Sequence, residues 1–133
     1  MKTNVFIICS VRNISEEYKK FLEKYVFILE QEENCIVHLP HRDTNQDASG
    51  LEICIENMKA IRSADRIDIF YNSKSQGTHF DMGVAFAFGK NIKIVQNEDF
   101  GEGKSYPKML HEWEFYCRVD NKFNTRYKGN ETT

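Results

Sequence analysis

Asn4-Val5-Phe6-Ile7-Ile8-Cys9-Ser10-Val11-Arg12-Asn13-Ile14-Ser15-Glu16-Glu17 is the stretch that decides the fold class of this 133-residue chain. From Val5 to Cys9 every residue is apolar, without the alternation of a strand that keeps one face in water. Such a run is typical of a strand buried on both faces, as in a parallel sheet. A short polar loop follows. Ser15 then offers a helix N-cap, and Glu16 and Glu17 suit the first turn. Tyr18, Phe21, Leu22, Tyr25, Val26 and Leu29 recur at helical spacing and predict a helix to about Glu32. Strand, loop and helix in this order are the first half of a βαβ unit.

The same alternation continues outward. Residues 35–39 (CIVHL) read as a second strand and 40–50 (PHRDTNQDASG) as a polar loop. Leu51, Ile55, Met58 and Ile61 mark a second helix, and 67–71 (IDIFY) a third strand. After a polar loop at 72–77, residues 79–88 form a short helix, with Gly89 as its C′ stop. Residues 92–95 are a fourth strand, 97–105 a glycine-containing loop, 107–111 one helical turn and 115–119 a fifth strand. The expectation is an α/β protein: a flavodoxin-like or Rossmann-like three-layer sandwich with a five-stranded parallel sheet, order 2-1-3-4-5. Residues 1–121 are expected to form one domain and 122–133 a polar tail.

Composition narrows the function classes. The net charge is −2, so no broad basic field exists to attract nucleic acid or an anionic membrane. Any phosphate must be held by local groups. No apolar run approaches the roughly 20 residues of a membrane span, and the N-terminus does not resemble a signal peptide. The four cysteines, Cys9, Cys35, Cys54 and Cys117, form no CxxC pair. They read as small buried hydrophobes of a cytoplasmic protein, with no metal site and no cofactor expected.

In open parallel sheets, ligands bind beyond the carboxyl ends of the strands. Three loops build that edge. The first carries Ser10 and Arg12 where amides and a helix dipole favour an anion; a solvated arginine and a turn serine are the plain alternative. The second carries His41, an acid/base group by intrinsic pKa, although a loop histidine is more often simply solvated. The third runs Ser75-Gln76-Gly77-Thr78-His79-Phe80-Asp81-Met82-Gly83-Val84-Ala85. Here a glycine leads into a helix whose start carries a carboxylate. Gly83 and Ala85 would allow close approach. Asp81 is either a nucleophile at the cleft mouth or part of a capping box, Thr78-x-x-Asp81.

The segments Ser63-Ala64-Asp65 and Ser75-x-Gly77-x-x-x-Asp81-x-Gly83-x-Ala85, followed by Gly89-Lys90, resemble the nucleoside 2-deoxyribosyltransferase family. The likeness is closest to its deoxynucleoside 5′-monophosphate N-hydrolase branch, whose Gly-Ser-Ile-Arg loop is similar to Cys9-Ser10-Val11-Arg12. It covers residues 4 to about 95 and extends in pattern toward Val119. The resemblance implies cleavage of an N-glycosidic bond through a glycosyl-enzyme, with Asp81 at the nucleophile's position. It implies that Ser10, Arg12, Ser75 and Gly77 surround a phosphate-bearing substrate, with Ser105 reaching the site from a neighbouring subunit. It also implies a small-molecule nucleoside or nucleotide partner and a homodimer or higher homo-oligomer.

Three positions depart from that pattern. The family's glutamate nucleophile is Asp81 here, its helix-borne catalytic aspartate falls at Asn57, and its first-strand tyrosine falls at Phe6. Asparagine cannot carry charge or transfer a proton. Two functions are therefore expected of this scaffold. One is hydrolysis or transfer at a nucleoside or nucleotide glycosidic bond. The other is nucleotide binding, to sense or sequester, with catalysis impaired.

Overall fold

The computed structural model describes residues 1–119. The order of elements is β1 (Thr3–Ile8), α1 (Glu16–Glu32), β2 (Cys35–His38), α2 (Pro40–Asp43), α3 (Gly50–Ser63), β3 (Arg66–Phe70), α4 (Gln76–Ala87), β4 (Ile92–Gln96) and α5 (Tyr106–Arg118). The strands form a sheet of order β2-β1-β3-β4, and every pairing is parallel. The expected tail, 122–133, lies outside the described residues, as do 120 and 121 of the expected domain.

The unalternating strands behave as their composition requires. In β1, Val5 and Ile7 join Leu22, Val26 and Leu29 of α1 on one face of the sheet. Phe6 and Ile8 face the other way, into a second core with Ile61 of α3, Met82 and Ala85 of α4, and Leu110 and Trp113 of α5. Helices thus cover both faces. Asp68 is fully buried on the α1 side. It survives there because Arg66 donates to it from two nitrogens, at 2.6 and 3.0 Å, and Tyr25 Oη at 2.6 Å.

The expected fifth strand is not one. Residues 115–118 continue α5, which is 13 residues long rather than a single turn. The cluster Trp113-Glu114-Phe115-Tyr116-Cys117 suggested a strand, but Phe115 is exposed while Leu110 and Trp113 are buried. That is helical spacing, started by the Ser105 cap on Lys108 N–H and by Pro107 in the first turn. Among the described residues the sheet therefore has four strands. α3 is also rotated relative to its expected phase. Leu51 and Ile55 are exposed, whereas Ile61 is buried as expected and Asn57 is buried beside it on the same face.

α4 ends in a Schellman motif. Lys90 N–H reaches Ala85 O and Gly89 N–H reaches Phe86 O, with Gly89 at φ 64°. This is the expected glycine stop. The helix starts earlier than its apolar pattern suggested, with Ser75 as N-cap.

Candidate active site

A cleft of about 700 Å³ opens where the strands end. Cys9, Ser10 and Arg12 reach it from the end of β1, Pro40 and Gln46 from the β2 side, and Asn72 and Lys74 from the β3 side. α3 contributes Ile53, Cys54 and Asn57; the start of α4 contributes Ser75, Gly77 and Asp81. The volume lies within the range of small-molecule sites.

One side of the cleft gathers donors and cations of the kind that could hold an anion. Ser75 Oγ accepts Thr78 N–H at 3.1 Å, which caps α4 and still leaves its hydroxyl proton to donate. Ser10 Oγ accepts from Asn72 Nδ2 at 3.0 Å, so its proton is likewise available. Asn72 Oδ1 accepts Lys74 N–H at 2.9 Å and Glu98 accepts Ser73 N–H at 2.8 Å, which fixes the turn between β3 and α4. Arg12 and Lys74 are exposed on this rim, and neither forms an ion pair among the described residues. Two cations, two hydroxyls and the N-terminus of a 12-residue helix therefore share the cleft. Gly77 lies beside them with nothing within 4 Å of where a Cβ would stand.

The floor carries the carboxylate. Asp81 is 6% exposed, and burial pushes its pKa up to about 7, against the opposing effect of a hydrogen bond from Asn57. Asn57 Nδ2 donates to Asp81 Oδ2 at 3.4 Å. Beside them the Cys9 thiol is pushed up to about 12 by burial and by Asp81, so it stays protonated. The capping-box alternative for Asp81 fails on geometry, because Ser75 caps the helix and Asp81 lies in its second turn, facing α3.

Ser10, Arg12, Asn57, Ser75, Gly77 and Asp81 thus come together in one cleft, while three other expected residues stand elsewhere. Phe6 is fully buried beneath the floor, stacked on His38. His41 turns back toward α1, its Nε2 3.6 Å from Glu23. Ser105 is exposed at the start of α5, where its Oγ accepts Lys108 N–H at 3.3 Å. Sequence reasoning overlooked Asn72 and Lys74. An Asx turn directly after a buried strand was the available signal. It also overlooked Thr44, whose hydroxyl meets Asn57 and which no local pattern marks.

Fold and cleft together define a parallel α/β protein with a polar cleft at the carboxyl edge of its sheet. Among solved structures, the chain is similar to the Clostridium botulinum CMP N-glycosidase BcmB, with 23% identity and a TM-score of 0.61. The match covers 84% of this chain and 81% of that one, and shows a shared fold. No protein-family model matches the chain, and no curated protein does. Among the described residues no helix is long and apolar enough to cross a membrane, and no three His, Cys, Asp or Glu side chains gather as a metal site would need.

Proposed function

We propose that this chain cleaves the N-glycosidic bond of a nucleoside 5′-monophosphate, with Asp81 as the nucleophile. The observation that carries this reading is one cleft holding both a buried carboxylate and a separate rim of two cations and two hydroxyls. The phosphate sits among Ser10, Arg12, Lys74 and Ser75, at the α4 N-terminus. That anchor orients the sugar so that its anomeric carbon meets Asp81. The ionised carboxylate attacks that carbon, and the base departs with the electron pair of the C–N bond and takes a proton from solvent. Water then hydrolyses the glycosyl ester and regenerates Asp81. The similarity to a glycosidase that acts on CMP supports a nucleotide as the substrate class. In this reading Ser105 reaches the phosphate of a second copy, so the active species is a homodimer or larger, a point that light scattering tests.

The experiment is a panel of nucleosides and their 5′-monophosphates, CMP included, scored for free base and for thermal stabilisation. Base release from a monophosphate that outpaces release from its nucleoside is expected. Stabilisation of the fold without base release would assign the protein to nucleotide binding instead, since a ligand of the native state raises apparent stability without turnover.

A further inference from the structure

We infer that Thr44 and His38 are positioning residues that aim Asp81 through Asn57. The effect on rate rests on the reading of Asp81 as the reacting carboxylate; the effect on its titration does not. Four side chains form one line beneath the cleft. His38 Nε2 lies 2.8 Å from Thr44 Oγ1. The Thr44 hydroxyl donates to Asn57 Oδ1 at 2.8 Å, and Asn57 Nδ2 donates to Asp81 Oδ2 at 3.4 Å.

The direction of every bond follows from one end. An ionised carboxylate only accepts, so once Asp81 has lost its proton Asn57 must turn its NH₂ toward it and its carbonyl toward Thr44. Thr44 has a single hydroxyl proton and gives it to Asn57. Its oxygen therefore accepts from His38, which is held as the Nε2–H tautomer. Burial lowers the His38 pKa and keeps the ring neutral at pH 7. The ring itself is fixed by stacking on Phe6, with centroids 5.1 Å apart and planes 12° off parallel. Phe6 and His38 are cross-strand partners of β1 and β2, so the line is anchored in the sheet.

Such a line solves a specific difficulty. An amide can turn over, exchanging oxygen for nitrogen with almost no change of shape. In that orientation a carbonyl oxygen would face Asp81 and repel its ionised form. Thr44, 4% exposed and committed as a donor, holds Asn57 the productive way round. Its own position is set by α2, where Leu39 N–H donates to Asp43 at 2.8 Å and Arg42 donates to Asp43, Glu30 and Val37 O. The groups facing Asp81 are Cys9, just after β1, and Asn57 from α3, with Arg12 and Lys74 lining the same cleft. Asp43, Glu56 and Arg42 act on His38.

The test uses the full chain and follows the Asp81 carboxylate by carbon-13 NMR as pH is varied. In Thr44→Val the Asp81 midpoint should rise by about 0.5–1 pH unit, the equivalent of one lost hydrogen bond. Thr44→Ser should return it to the wild-type value. His38→Phe keeps the ring stack but removes the donor, and should shift the midpoint in the same direction as Thr44→Val. With CMP as probe, Thr44→Val should lower kcat roughly tenfold with KM little changed, and Thr44→Ser should restore it. An Asp81 midpoint unmoved in His38→Phe and in a folded Thr44→Val would overturn the inference. If the midpoints shift as expected while even wild type releases no base, the proposed reaction fails and the line stands.

Discussion

Asn57 of α3 donates to Asp81 of α4 across 3.4 Å, joining two helices at the floor of the cleft by one hydrogen bond between buried side chains. One partner titrates and the other cannot. That asymmetry governs the pH behaviour of the site.

Base release should rise with pH and reach half its maximum near pH 7, because only the ionised Asp81 attacks and its pKa lies at about 7. Stability should move the opposite way. Between pH 3.8 and about 7 the folded protein holds a proton that the unfolded chain has lost, so stability falls as pH rises through that window. Asp81→Asn does not ionise and escapes the loss. It should abolish base release, yet exceed wild type in stability by about 2–4 kcal/mol at pH 8, converging with it near pH 4. Urea unfolding at the two pH values checks this. Equal activity in wild type and Asp81→Asn would falsify the nucleophile assignment.

Arg12→Ala and Lys74→Ala should each weaken monophosphate binding by about 1–3 kcal/mol and leave nucleoside binding almost unchanged. Isothermal calorimetry with a nucleoside and its monophosphate measures both. A wild type that binds the two ligands equally would remove phosphate anchoring from the mechanism.

Asn57→Asp would set two carboxylates against each other in a buried site, where they cannot both ionise easily. The rising limb of the pH profile should move to higher pH, and a protonated partner for the departing base becomes available. Phe6→Tyr should behave differently. Phe6 is fully buried, so a hydroxyl there is desolvated and should destabilise the fold by about 1–3 kcal/mol unless it finds a partner. Thermal melts of both variants, beside base-release profiles of Asn57→Asp, distinguish the cleft residue from the core residue.

Gly83 was expected to permit a close approach, but it is exposed in α4 and a Cβ there meets nothing within 4 Å. Gly83→Ala should therefore stabilise the protein by about 0.5–1 kcal/mol through helix propensity alone. Ligand affinity should not change; a loss in calorimetry would mean that the glycine serves the site after all.

The fold was legible wherever burial was symmetric. Val5 to Ile8 form a continuous apolar run, Ile67, Ile69 and Phe70 flank the single buried Asp68, and both segments are central strands. The cleft followed from the loops after those strands, which is why Ser10, Arg12, Ser75 and Asp81 could be grouped in advance. The misread segment was the one with mixed signals. Phe115, Tyr116 and Cys117 are consecutive and apolar, so local composition masked the helical spacing of Leu110 and Trp113. Thr44 and His38 were beyond reach for another reason. Their roles depend on the cross-strand register of Phe6 and His38 and on the α2 turn, and neither exists until the chain is folded.

The bond between Ser10 and Asn72 joins residues 62 apart in sequence, in the loops that follow β1 and β3, strands that are neighbours in the sheet but not successive in the chain. A chain emerging from the ribosome can complete β1, α1 and β2 while half of the cleft has yet to be made. Ligand cannot act as a template for that early intermediate. It can reward only the finished sheet, so protection by substrate against proteolysis should appear all at once, when the segment carrying Asp81 docks.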